Sequence, residues 1–121
     1  MLVGIDVIDV VRMQKFVQNE RFLDKYFTSY EAMYVSKTIR KTQSLAGIYA
    51  AKEAFLKALG IGINNGIELN EIEVRHFDNG KPYIKLSKAA QIKCLTNFKI
   101  KDIQISISHT DDVCTAVCIL N

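Results

Sequence analysis

The stretch AAKEAFLKALG, residues 50–60, belongs to the longest helix that the 121-residue sequence predicts. Apolar side chains recur at helical spacing from about Gln43 to Leu59, and alanine and leucine favour helix throughout. Gly60 follows as the residue best suited to the left-handed conformation that ends many helices. Lys52 and Glu53 stand side by side in this helix, among residues that are expected to be buried.

Glu53 and Lys57 are four residues apart, in the order that favours an ion pair on a helix surface. Such a pair contributes only about 0.2–0.5 kcal/mol to an isolated helix. Taken alone, the helix therefore favours a solvent-exposed pair without a chemical role.

Asp6 weakens that interpretation. It ends a short apolar stretch that predicts a strand, where a carboxylate is disfavoured and is costly to bury unless it is paired or bound to a cation. Asp6 and Glu53 could together hold one hard divalent cation, with water in the remaining positions, as Mg²⁺ is often held beside phosphates. Asp6 could equally cap a turn.

The rest of the chain predicts an α+β fold in a single domain, residues 1–121, with about four helices packed on an antiparallel-rich sheet. A helix from about 10 to 18 is expected to begin at Asp9, and a helix from about 29 to 39 at the capping box of Thr28 and Glu31. DNG at 78–80 predicts a hairpin turn, with Pro82 opening the second strand. Ser87 can cap a helix from about 88 to 98, and DIQISISH and VCTAVCIL predict a final hairpin.

Composition excludes several classes of protein. A hydrophobic fraction of 49% with 24% charged residues is typical of a soluble globular protein, and no run of about 18 apolar residues predicts a membrane span. We therefore expect a cytoplasmic protein without a membrane partner. The net charge of +3 is too small for a nucleic-acid binder, although it suits an acidic partner or a phosphorylated ligand.

Two further candidate sites lie near the C-terminus. His109, Cys114 and Cys118 lack the spacing of a zinc site, so buried free cysteines, Cys94 included, are expected instead. Ser108, His109 and Thr110 could contact phosphate oxygens at a strand end, or could simply form a turn. A Ser-His-Asp triad is excluded because neighbouring residues of a strand point to opposite faces.

Four motifs in order, GIDVIDVVR, AAKEAFLKALG, DNGKPYIKL and ISISHT, resemble the holo-acyl-carrier-protein synthases, which are small bacterial phosphopantetheinyl transferases. The motifs extend from Gly4 to Thr110, and the T-x-x-E of Thr28 and Glu31 lies between the first two. The resemblance implies transfer of the 4′-phosphopantetheine of coenzyme A to a serine of apo-acyl carrier protein, in support of fatty acid biosynthesis. It also implies a requirement for Mg²⁺, and adenosine 3′,5′-bisphosphate as the other product.

The resemblance also implies roles for individual residues. Asp6 and Glu53 would bind the metal, and Lys57 would neutralise charge on the phosphates. Because a serine hydroxyl is a weak nucleophile, a base must remove its proton, and Glu53, directly or through a metal-bound water, is the candidate. Arg12 and Arg21 would contact the acidic carrier protein, and sites shared within a homotrimer are expected. The residues implied in coenzyme binding are Lys52, Lys81, Pro82, Ser108, His109 and Thr110.

The sequence departs from the family at one point. Ile48 and Tyr49 stand where family members commonly have arginine and an aromatic residue, so a phosphate contact is missing or comes from elsewhere. Lys37, Arg40 and Lys41 lie just upstream, and we hypothesise that they replace it. The rival interpretation is a non-catalytic module for a nucleotide or an acidic protein, in which Glu53 and Lys57 form only a surface pair.

Overall fold

Five strands and five α-helices form the chain, and a computed structural model describes all 121 residues. Short 3₁₀ turns follow the first helix and precede the second strand. The elements in chain order are β1 (Leu2–Asp9), α1 (Val10–Met13), α2 (Glu20–Tyr26), α3 (Ser29–Lys37), α4 (Lys41–Leu59), β2 (Ile72–His76), β3 (Pro82–Leu86), α5 (Lys88–Asn97), β4 (Ile103–His109) and β5 (Val113–Leu120).

The strands form two antiparallel sheets. The larger sheet has the order β1-β5-β4, and β2 and β3 form a separate hairpin. In the larger sheet, Asp6 lies opposite Ala116, which lies opposite Ile107 on its other side. Side chains alternate between a face covered by α4 and an outer face, which places Gly4, Asp6 and Ile8 beneath the helix.

Helix α4 is the centre of the core. It runs for 19 residues, and Gly60 ends it with φ 75°, as the sequence predicts. Where α4 crosses β1, a Cβ atom on Gly4 would lie 2.0 Å from the carbonyl oxygen of Ala54, so only glycine permits this approach. No helix in the structure combines the length and the apolar character needed to span a bilayer.

Local capping signals are confirmed. Thr28 and Glu31 form the predicted capping box, in which the Thr28 hydroxyl accepts from the Glu31 backbone N–H at 3.2 Å and Glu31 Oε1 accepts from the Thr28 N–H at 2.8 Å. Ser87 caps α5 by accepting from the Ala90 N–H at 3.1 Å. Cys94, Cys114 and Cys118 are buried free thiols, as expected.

The N-terminal region differs from the prediction. Strand β1 continues to Asp9 because β5 pairs with it over eight residues, so Asp6 lies within the strand rather than at its end. Asp9 makes no capping hydrogen bond, and the helix expected over residues 10–18 is only α1 with a 3₁₀ turn. Helix α2, which the sequence did not predict, is capped by Asn19, whose side chain accepts from the Phe22 N–H at 3.1 Å.

Gly4→Ala should destabilise the protein, because its methyl group would meet backbone atoms of α4 that cannot give way without moving the helix. We expect a loss of about 1–3 kcal/mol in the free energy of unfolding, measured by urea denaturation. Asp9→Ala, at an exposed position without a capping bond, is the control and should change the free energy by less than about 0.5 kcal/mol. Equal stability of Gly4→Ala and the native chain would contradict this contact.

Candidate active site

Asp6 and Lys57 form an ion pair at the crossing of β1 and α4. Lys57 Nζ donates to Asp6 Oδ1 at 2.8 Å, and the lysine side chain is 55% exposed whereas Asp6 is 6% exposed. This hydrogen bond to Asp6 raises the pKa of Lys57. Asp6 Oδ2 is also buried, but it has no hydrogen-bond partner. One carboxylate oxygen is therefore left to accept a further ligand.

Glu53 lies beside this pair and adds a second carboxylate. Burial raises the pKa of Glu53, and the negative charge of Asp6 raises it further, while the Tyr49 hydroxyl and Lys57 act in the opposite direction. Burial and the nearby Glu53 likewise raise the pKa of Tyr49. Two carboxylates thus share one half-exposed lysine, which leaves a local excess of negative charge that a cation would neutralise.

The residues present fit a divalent cation held by two protein ligands. Asp6 and Glu53 supply the oxygen atoms that Mg²⁺ prefers, and the unpartnered Asp6 Oδ2 is available for coordination. No group of three or more His, Cys, Asp or Glu side chains gathers anywhere in the chain. A cation here would therefore take its remaining ligands from water or from a bound phosphate.

The carboxylate pair opens onto a cavity of about 910 Å³ between β1, α1 and α4. Part of its wall is aromatic, since Phe16 and Phe22 line it and their rings stack with centroids 3.8 Å apart. Arg12 also lines this cavity, as does Lys15, which sequence reasoning did not single out. The cavity thus places an acidic pair beside basic and apolar surfaces.

Lys52 does not fit its predicted role in coenzyme binding. Its side chain is fully buried, and its ammonium bonds to Glu31 and to two backbone carbonyl oxygens. A ligand cannot reach that ammonium without unfolding the surrounding core. Only Glu53 of the adjacent Lys52–Glu53 pair therefore reaches the cavity.

Pro82 and His109 line a second, smaller cavity of about 240 Å³. Ile48 lines it as well, whereas its neighbour Tyr49 lines the larger cavity, so α4 passes between the two. Two strand spacings and two residues of rise separate the Cα atoms of Asp6 and His109, a distance of about 12 Å. Pro82 and His109 thus lie on the opposite side of α4 from the predicted metal ligands.

The remaining predicted coenzyme residues do not converge on that cavity. Ser108 alternates with His109 and lies on the outer face of the sheet. The Thr110 hydroxyl accepts from the Val113 N–H at 3.1 Å and so shapes the turn between β4 and β5. Lys81 is exposed in the turn before β3.

The basic residues proposed to replace the family arginine divide into two groups. Arg40 and Lys41 line a third cavity of about 820 Å³ together with Lys15, whereas Lys37 does not line it. Arg40 also pairs with Asp111 at 2.7 Å. Their contact with a phosphate remains a hypothesis.

A carboxylate pair, buried at Asp6 and half-buried at Glu53, lies with a lysine beside an open cavity on an α+β scaffold. This arrangement suits a cation and a phosphorylated ligand. A model of the 4′-phosphopantetheinyl transferase superfamily matches residues 2–118, and the chain therefore belongs to that family. The match confirms the resemblance and the class of transferase that it implies.

Similar proteins within this superfamily are holo-[acyl-carrier-protein] synthases. The chain is 37% identical to holo-[acyl-carrier-protein] synthase of Cytophaga hutchinsonii, across 98% of this chain and 95% of the relative, and 37% identical to that of Fusobacterium nucleatum, across 99% of each. The crystal structure of Helicobacter pylori holo-[acyl-carrier-protein] synthase in complex with coenzyme A has a TM-score of 0.86 at 30% identity, over 99% of this chain and 100% of that one. The Neisseria meningitidis enzyme has a TM-score of 0.89 at 26% identity, over 100% and 99%. These structures confirm the predicted α+β fold.

Asp6→Asn should lower the pKa of Glu53 in the metal-free protein, because it removes the negative charge that disfavours the ionised glutamate. Titration of the Glu53 carboxyl carbon by NMR should place its midpoint above the ordinary glutamate range in the native chain and lower in the variant. Asp9→Asn removes an equal charge from the exposed face of the same strand and should leave the midpoint unchanged. A midpoint that rises in Asp6→Asn would contradict the arrangement.

Proposed function

We propose that this protein transfers the 4′-phosphopantetheine group of coenzyme A to a serine of apo-acyl carrier protein. The products are holo-acyl carrier protein and adenosine 3′,5′-bisphosphate, and the reaction takes place in the cytoplasm in support of fatty acid biosynthesis. The proposal rests on the Asp6–Lys57 pair beside Glu53 at the edge of the large cavity. Family membership and the relatives named above support the same reaction.

Asp6 and Glu53 would hold Mg²⁺ at this site. The support comes from the buried Asp6 Oδ2 that lacks a partner and from the mutual repulsion of the two carboxylates. When bound, Mg²⁺ supplies positive charge that neutralises the coenzyme diphosphate and stabilises charge developing on its oxygen atoms.

Lys57 and Glu53 would then share the chemical step. The serine hydroxyl oxygen bonds to the β-phosphorus of coenzyme A, and the bond from that phosphorus to the bridging diphosphate oxygen breaks. Glu53 would accept the serine proton, because its carboxylate lines the cavity beside Asp6 where the hydroxyl must enter. The exposed Lys57 ammonium stabilises negative charge on the phosphate oxygens. The bisphosphate leaves with the electron pair of the broken bond.

The carrier protein would dock beside the large cavity. Arg12 lies in the cavity wall and is exposed, as Lys15 is, so positive charge lies next to the carboxylates where the serine must enter. Arg21 is exposed on α2, which also carries the cavity residue Phe22. Charge complementarity with an acidic helix would orient the carrier before transfer.

In a homotrimer with shared active sites, the large cavity of one chain would lie beside the small cavity of its neighbour. One chain holds Asp6 and Glu53 on one side of α4 and His109 with Pro82 on the other, and a neighbouring copy could complete each site. The outer sheet face supports such an assembly, because Val3, Ile5 and Val7 are 56–62% exposed in a row along β1. An exposed apolar edge strand of this kind is prone to associate with another chain.

The transfer reaction can be tested by incubating the protein with coenzyme A, Mg²⁺ and apo-acyl carrier protein, and by measuring the carrier mass. The native chain should add one phosphopantetheine group. Asp6→Ala and Glu53→Ala should each lower kcat/KM by about 10²–10⁴-fold, because each removes a metal ligand and Glu53 is also the base. Lys57→Met should lower it by about 10²–10³-fold.

Asp9→Ala is the matched control for these variants, since Asp9 is exposed and lies outside the cavity, and it should retain native activity. A carrier without added mass would leave the non-catalytic binding module as the better interpretation. Full activity of both Asp6→Ala and Glu53→Ala would overturn the assignment of residues.

Ile5→Lys should dissociate the assembly and abolish transfer, because the charge would be buried between copies. Light scattering after gel filtration should give three times the chain mass of 13.7 kDa for the native protein and a single chain mass for the variant. Ile92→Lys is the control, because Ile92 is also exposed but lies on α5. A native protein that runs as an active monomer would refute the shared site.

A further inference from the structure

Lys52 lies on the side of α4 away from the large cavity and is held by three oxygen atoms. Its Nζ lies 2.5 Å from Glu31 Oε1, 2.7 Å from the Tyr26 carbonyl oxygen and 3.1 Å from that of Leu69. An ammonium carries three donor hydrogens, so all three can be satisfied although the side chain has no contact with solvent.

Glu31 links Lys52 to other helices and strands of the fold through further hydrogen bonds. Its Oε2 accepts from the Val74 N–H of β2 at 2.7 Å, and its Oε1 accepts from the Thr28 N–H at the start of α3. Together with the Tyr26 carbonyl at the end of α2, these bonds attach α4 to α2, α3 and β2 through one ion pair. Burial raises the pKa of Glu31 and lowers that of Lys52, while the ion pair opposes both shifts.

An aromatic ring connects the ion pair to the cavity side of the helix. Lys52 Nζ lies 4.6 Å from the centre of the Phe27 ring, and that ring lies 6.1 Å from the ring of Tyr49. Tyr49 lies one turn before Glu53 on α4, and burial together with the nearby Glu53 raises the pKa of Tyr49. The position of the Lys52 ammonium thus bears on the surroundings of Glu53, although the two adjacent side chains point in different directions.

A buried ion pair is a poor source of stability. Taking both charges out of water costs about as much as their attraction returns, and apolar side chains of similar volume are often equally stable. The pair instead fixes the orientation of α4, because the Lys52 ammonium must meet three oxygen atoms of neighbouring elements at once. A rotation of α4 by about 10° would break that arrangement and would move a side-chain group about 6 Å from the helix axis by about 1 Å.

We propose that Glu31 and Lys52 are positioning residues for the transfer reaction, which fix the rotation of α4 so that Glu53 and Lys57 face Asp6. The inference rests on the proposed function. A misplacement of about 1 Å in a catalytic group can cost about 10²-fold in rate, whereas binding of the substrate changes less. Loss of the ion pair should therefore affect kcat much more than KM.

Lys52→Met in the full chain tests this role, because methionine has a similar length but cannot meet the three oxygen atoms. With coenzyme A and apo-acyl carrier protein, well below the Tm of the variant, kcat should fall about 10- to 100-fold while KM for coenzyme A stays within about twofold. Leu120→Ala is the control: it lowers Tm by opening a cavity at the far end of β5 and should leave kcat within about twofold of native.

Glu31→Gln provides a second variant if Lys52→Met does not fold, since the amide oxygen can still accept a backbone hydrogen bond. It should show the same split between kcat and KM. A native kcat in a folded variant, or an equal loss of kcat in Leu120→Ala, would overturn the inference.

Amide hydrogen exchange supplies a readout that does not depend on transfer. Residues 49–57 should exchange faster in Lys52→Met than in Leu120→Ala at matched Tm, because only the first variant releases α4 from its neighbours. Unchanged protection of this segment would overturn the inference. If the native chain transfers nothing, the proposed function fails, and the exchange result alone decides the role of the ion pair.

Discussion

The close approach of α4 to β1 at Gly4 is the constraint on which the rest of the site depends. Because Gly4 has no side chain, the backbone of Ala54 and Ala58 can lie directly on the strand. Asp6 is the next residue on the same face of β1, and it therefore meets Lys57 of the helix at 2.8 Å. A wider spacing between helix and sheet would separate the carboxylate from its partner and admit water between them.

The two sides of α4 carry charges with different surroundings. On one side, Lys52 is sealed in the core, and every donor of its ammonium has an oxygen partner. On the other side, Asp6 and Glu53 remain short of positive charge, and one buried oxygen has no partner at all. Satisfied polar groups rigidify a fold, whereas unsatisfied ones cluster where ligands bind. One helix thus serves as a fixed support and as the wall of a reactive cavity.

Features that depend on nearby residues could be predicted from the sequence. The capping box at Thr28 and the end of α4 at Gly60 are local, and both are confirmed. Helix α2 was missed because it is short and contains no fully buried residue to give an apolar period. The burial of Lys52 could not be predicted, because its partner Glu31 lies 21 positions away on α3 and meets it only when α3 packs against α4. For Asp6 and Glu53, the family resemblance supplied a pairing that physical reasoning had left open.

Helix α4 separates the large cavity from the small one, so the lining of each cavity can change without altering the other. Successive residues of a helix point about 100° apart, so Ile48 faces the small cavity while Tyr49 faces the large one. A substitution at position 48 therefore alters the surroundings of Pro82 and His109 without touching Glu53. Position 48 is therefore insulated from the carboxylate pair, and a different residue there can reshape the small cavity while Asp6 and Glu53 keep their arrangement.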